Sequence, residues 1–173
     1  TQIIYSPSSR ITFNSSTFIG TDSPNQRRLM RYFHDFYSTF KLSSKLAATI
    51  GFDIGMEQKS KGSSTFNTWF NSTAIMRYTP TTNTAIAVRG EYFDDRDSVL
   101  LSSTSPNGFR TWAFSANFDW NITKNFLWRA EARSLINKDN IFSNILICKS
   151  TYVFVYYDSW IPMPPCYFIF TYV

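Results

Sequence analysis

Three shortages narrow what this chain of 173 residues can be. Its two cysteines, Cys148 and Cys166, both stand in the C-terminal tail at no spacing suited to a metal, and nothing in the sequence pairs them. One histidine, His34, and six glycines build neither a metal centre nor a glycine-rich phosphate loop, so no metal and no cofactor are expected. Charged residues amount to 17%, where a soluble domain carries roughly 25%. A fourth absence matters more. There is no run of about 18 apolar residues and mean hydropathy is only −0.21, which argues against helical membrane spans. The net charge of +5 comes from Lys and Arg scattered along the chain rather than gathered in a stripe, so no nucleic acid partner is expected.

What the chain does have is aromatics, 18% of it, and alternation. Within residues 111–121, Trp112, Phe114, Ala116, Phe118 and Trp120 alternate with Thr111, Ala113, Ser115, Asn117, Asp119 and Asn121. A period of two over that length predicts a strand with one apolar and one polar face. Residues 121–125 then turn, Asn and Lys favouring a solvated reversal. The chain returns with Phe126, Trp128, Ala130 and Ala132 on one side and Leu127, Arg129, Glu131 and Arg133 on the other. Ala116 and Ser115 are expected on opposite faces, with Glu131 close to Ser115 across the hairpin. The same pattern predicts strands over 11–20, 31–42, 46–57, 68–79 and 84–93, with residues 145–157 as a closing strand. The expected fold is all-β: an antiparallel up-and-down transmembrane β-barrel, or a barrel segment, of about 7–8 strands. Residues 1–144 would hold its strands and loops, and residues 145–173 the closing strand and a tail.

Two regularities bear on function. Connections alternate long and short, the asymmetry of outer-membrane barrels with short periplasmic turns and longer outer loops. The in-strand charges Arg31, Asp35, Lys41, Asp53, Glu57, Arg77, Arg89, Glu91, Asp119, Arg129, Glu131 and Arg133 all fall on one face. Of these, Arg77, Arg89, Glu91, Asp119, Arg129, Glu131 and Arg133 are the candidates for lining a pore. Charges so placed set ion preference; over the twelve in-strand charges acids and bases balance, so weak selectivity is expected, biased slightly towards anions by local arginines. The other face carries no formal charge. Its aromatics gather near the strand ends, Tyr32, Phe70, Tyr92 and Trp112 toward the long loops, Phe40, Tyr78, Trp120 and Phe126 toward the short turns. Such positions suit two interfacial girdles. A soluble lipocalin-like barrel also alternates but turns its apolar face inward. Against it, the polar face here is rich in Gly, Ala, Ser, Thr and Asn rather than Lys and Glu, and the aromatics prefer strand ends, whereas a packed interior wants bulk in the middle.

Two further constellations touch on chemistry. Asp94, Asp95 and Asp97 are hard oxygen ligands of the kind Ca²⁺ takes, but Arg96 interrupts them and the run reads as a solvated loop tip. His34 shares the apolar face with Ser38 and Ser72, the makings of a lipid hydrolase; a lone interfacial histidine is the simpler reading, and no catalytic residue is expected.

Residues 77–81 (Arg-Tyr-Thr-Pro-Thr), 87–97 (Ala-Val-Arg-Gly-Glu-Tyr-Phe-Asp-Asp-Arg-Asp) and 128–133 (Trp-Arg-Ala-Glu-Ala-Arg) resemble the OmpL-like β-barrel porin family of Gram-negative outer membranes. The resemblance spans residues 11–142. It implies a non-enzymatic pore in the outer membrane, surrounded by a lipid bilayer and passing small solutes or ions by diffusion. Assembly into a homo-oligomer stays open. Members of that family are typically much longer, which implies the C-terminal part of a larger barrel; a start at Thr1, without Met or a signal-like segment, fits a mature form or a fragment. The family pattern usually has Gly just after the acidic cluster, where Ser98 stands, so the loop conformation there is open. Similar barrels also close with an alternating strand ending in Phe, whereas this chain carries Pro162, Pro164 and Pro165 and ends Phe170-Thr171-Tyr172-Val173. The tail is therefore expected to be aberrant, as a shifted reading frame would make it. The alternatives to a pore are a non-conducting structural or adhesive barrel and an outer-membrane lipid hydrolase.

Overall fold

The computed structural model describes residues 1–21, 28–137, 139 and 150–155. Nine strands follow one another: β1 (Gln2–Ser8), β2 (Ile11–Gly20), β3 (Arg31–Lys41), β4 (Leu46–Gln58), β5 (Phe66–Tyr78), β6 (Thr84–Asp95), β7 (Phe109–Thr123), β8 (Phe126–Asn137) and β9 (Ser150–Val155). They form one antiparallel up-and-down sheet in sequence order. Among the described residues no pairing joins β9 to β1, so the sheet is open, a barrel segment rather than a closed barrel.

The alternating stretches fold as the strands they predict, and some run longer. Asp94 and Asp95 pair with Arg110 and Phe109, carrying the β6–β7 ladder past the end of the visible alternation. The first strand has no counterpart in the pattern. Ile3 and Ile4 break the period of two, and Pro7 cannot donate to a ladder; at an edge, with the register shifting between Tyr5 and Ser8, both are tolerated. Of the closing strand foreseen over 145–157, β9 pairs with β8. Residue 144 and the proline-containing tail lie outside the described residues.

Residues 9–10, 42–45, 79–83 and 124–125 make the short connections at one end, and 21–30, 59–65 and 96–108 the long ones at the other. Hydroxyls shape the short turns, where the chain reverses faster than backbone pairing alone can satisfy. Ser43 Oγ accepts the N–H groups of Lys45 and Leu46 at 3.1 and 3.0 Å, and Thr81 Oγ1 those of Asn83 and Thr84 at 3.2 and 3.1 Å. The longest connection is organised by carboxylates. Asp95, fully buried, accepts the N–H groups of Val99, Leu100 and Leu101 at 2.8, 2.8 and 2.9 Å. Ser98 there has φ +53°, the left-handed region that favours the glycine of the family pattern.

Burial is inverted relative to a soluble domain. The covered side chains include Asn14, Asn71, Glu91, Thr111, Asp119 and Asn137, while Ile50, Phe52, Val88, Trp112, Phe114 and Trp120 are exposed. Register puts these two sets on opposite faces of the sheet, as with Thr111 beside Trp112 and Asp119 beside Trp120 on β7. The polar side chains cover one another, as they do when a sheet curls toward that face. It is called the inner face below.

Candidate pore-lining face

All seven pore-lining candidates fall on the inner face by register, and the structure gathers five of them into ion pairs. Asp119 stands directly opposite Arg129, and the guanidinium grips it twice, Nε to Oδ1 at 2.6 Å and Nη2 to Oδ2 at 2.8 Å. This fork-on-fork geometry is the strongest form of such a pair. Glu91, only 2% exposed, lies between Arg89 at 2.8 Å and Arg133 at 3.5 Å. The other two stay outside these groups. Arg77 is exposed near the short turns, beside Lys41 and Lys45 in a shallow cleft, and Glu131 faces Asn117 without an ion pair among the described residues. Glu131 lies diagonally across the hairpin from Ser115, whose direct neighbours by register are Arg89 and Arg133.

Toward the long loops the inner face is packed. Arg31 pairs with Glu57 directly across β3–β4 at 2.6 Å, and its guanidinium carbon lies 5.5 Å from the Trp69 ring. Trp69 is buried because Gly55 sits opposite it, and a Cβ on Gly55 would collide with the indole. Neither residue stands out in the alternation. A single tryptophan on a polar face, facing a glycine one hairpin away, is the signal that finds the pair.

One level deeper, Asp35 and Asp53 face each other across β3–β4. Asn14 Nδ2 donates to Asp35 Oδ2 at 3.2 Å and Asn71 Nδ2 to Asp53 Oδ2 at 3.3 Å. On the adjoining strands Asn71 Oδ1, Thr73 Oγ1 and Glu91 Oε1 are buried without a hydrogen-bond partner. Among the described residues no three His, Cys, Asp or Glu side chains come together as a metal centre.

The aromatics named for girdles all lie on the outer face. Toward the long loops, Phe52, Phe70, Tyr92 and Trp112 form a chain of ring contacts at 6.2, 5.7 and 4.7 Å. Toward the short turns, Phe13 meets Phe40 at 6.4 Å and Phe118 meets Trp128 at 6.1 Å, with Trp120 opposite Trp128. His34 Nδ1 shares a 3.0 Å hydrogen bond with Thr17, directly opposite it, whereas Ser38 lies under Phe13 and Ile50 and Ser72 between Phe52 and Tyr92. No serine–histidine pair forms there. The acidic run at 94–97 is not a solvated tip: Asp94 is buried, holding Arg96 at 2.9 Å and Arg110 at 3.5 Å, and Asp97 accepts the Thr68 N–H at 3.1 Å. Sequence periodicity carries no information about such loop contacts. The hydrogen bond to Asp94 raises the pKa of Arg96 above its ordinary value.

A family model described as "Putative beta-barrel porin-2, OmpL-like" matches residues 1–153. No curated protein and no solved structure matches the chain.

Proposed function

This chain belongs to the OmpL-like family of β-barrel porins, and from that membership we propose that its strands wall an outer-membrane pore through which small solutes or ions diffuse passively. The observation that carries the reading is the inverted burial. Side chains such as Ile50, 58% exposed, and Trp112, 51% exposed, would sit in water at roughly 25 cal/mol per Å² of apolar surface, a cost that hydrocarbon removes. Within the sheet, backbone groups are paired from strand to strand as strands in lipid require, and under this reading the open edges at β1 and β9 are paired in a closed barrel. Under this reading the Gram-negative outer membrane surrounds the outer face, the two aromatic groups sit at its interfaces, and the arginines and acids of β6–β8 line the solute path.

The test compares Ala116 on the outer face with Asn117 on the inner one, in protein whose Cys148 and Cys166 have been replaced by serine. Asn117 is the better control than Ser115, because Glu131 stands opposite it rather than two arginines. Ala116→Arg is expected to cost roughly 2–4 kcal/mol in lipid vesicles, and Asn117→Arg much less. A dye on a cysteine at 116 should be quenched by lipid-dissolved quenchers, and one at 117 by water-soluble quenchers. Protection of 116 from both would mean a buried core and sink the reading. One observation favours a non-conducting barrel: the ion pairs around Glu91 and Asp119, with Trp69 above, could fill a narrow interior. Planar-bilayer conductance separates that reading from an open pore.

A further inference from the structure

We propose that Asp35 and Asp53, together with Asn71 Oδ1 and Thr73 Oγ1, hold a hard, oxygen-ligated cation of the Ca²⁺ kind on the inner face; the inference rests on that face being a wet interior. Two carboxylates directly opposite on neighbouring strands repel each other unless something positive lies between them. The chain offers them amides, Asn14 on one side and Asn71 on the other, while the guanidinium groups of β6–β8 are engaged with Glu91 and Asp119.

The second observation is independent of the acids. Asn71 is 6% exposed, its Nδ2 is spent on Asp53, and its Oδ1 has no partner. Thr73, the next inner-face residue of β5, has an unpartnered Oγ1, and Glu91, directly opposite Thr73, has an unpartnered Oε1. Native proteins rarely leave buried oxygens unmatched, because an oxygen stripped of water and given no partner is destabilising. Asn71 Oδ1, Thr73 Oγ1 and Glu91 Oε1 are oxygens able to donate a lone pair, and the cation nearest them, Arg89, is paired with Glu91. Among the described residues neither Asp35 nor Asp53 has an ion pair. A hard cation supplies the positive charge, taking two carboxylates, an amide oxygen and a hydroxyl and completing its shell with water. Two carboxylates and neutral oxygens suit a weakly held, exchangeable ion, as a solute path requires.

The probe is Tb³⁺, which takes the oxygen ligands of Ca²⁺ and luminesces when a nearby tryptophan is excited. Trp69 is suitably placed, two residues from Asn71 on the same face of β5. In the full chain refolded in detergent micelles, saturable luminescence displaced by Ca²⁺ is expected. Trp69→Phe should dim it without changing the Ca²⁺ concentration that competes. Asp35→Asn with Asp53→Asn should weaken binding at least about tenfold, and Asn71→Ala, which keeps both acids, by a smaller factor. Glu131→Gln, an acid elsewhere on the face, should leave it unchanged. Luminescence that does not saturate, or that survives the double aspartate variant in folded protein, would overturn the proposal and leave a shared proton or trapped water as the account of the pair. If the double variant does not fold, an unchanged affinity in Asn71→Ala overturns it instead. Conductance is read separately: a Tb³⁺ site in a chain that never conducts keeps the ion site and defeats the pore, and a conducting chain without Tb³⁺ binding does the opposite.

Discussion

The inner faces of β3–β5 and of β6–β8 hold their carboxylates by different means. In β6–β8 arginines of the chain itself meet the acids: Arg129 stands opposite Asp119, and Glu91 lies between Arg89, two residues before it on β6, and Arg133 of β8. In β3–β5, below the Arg31–Glu57 pair at the rim, acid stands opposite acid, with Asn14 and Asn71 donating to the two carboxylates and no ion pair to either among the described residues. The composition of the two regions is similar. What differs is which residue the hairpin turn delivers opposite which, and that decides whether a charge is neutralised by the chain or left for a mobile ion.

The comparison breaks most visibly at Glu91. Glu91→Leu removes the carboxylate shared by Arg89 and Arg133, and losing one partner of a buried pair costs roughly 3–5 kcal/mol, toward the lower end here because Arg133 keeps about a third of its side chain exposed. Urea unfolding in lipid vesicles reads this directly. A loss below about 1 kcal/mol would mean that β6–β8 is held by packing rather than by charge. Next comes Gly55→Ala, which tests whether packing holds the other region. Its Cβ collides with Trp69, for an expected loss of about 1–3 kcal/mol. Combining it with Trp69→Leu should recover part of that loss, and strict additivity would show that the two side chains do not meet. The smallest effect is expected at Asp35. Neutralising it as Asp35→Asn, at pH 8 with a chelator present, should leave stability unchanged or raise it by up to about 1 kcal/mol, since like charges opposite each other are relieved. A clear loss would reveal a cationic partner and erase the contrast.

Much of this was legible from alternation alone: the strands β2–β8, the division of charge between faces and the outward position of the aromatics. The pairs were not. Asp35 and Asp53 meet because both lie equally far from the turn at 42–45, which becomes visible only once that turn's length fixes the register. β1 escaped because an edge strand is free to break the period of two and to carry Pro7. The burial of Asp94 and Asp95 is invisible to periodicity, which describes strands and is silent about the loops that fold back on them. Ser98 is the reverse case: the glycine expected there by resemblance marks a backbone bend that serine adopts at φ +53°.

Asp95 bears on how the protein survives digestion. The connection 96–108 is the longest, and by length alone a protease should cut it first. Yet its start is fastened by three N–H bonds to the Asp95 carboxylate, and further along Ser105 and Asn107 are bonded to Asp139. To thread Arg96 into trypsin the chain must first break that fastening. Lys59 and Lys61 are exposed in the shorter connection, where Gly62 has open space around it. Limited trypsin should therefore nick the chain after Lys59 or Lys61 well before Arg96, and Asp95→Ala should bring the cut at Arg96 forward.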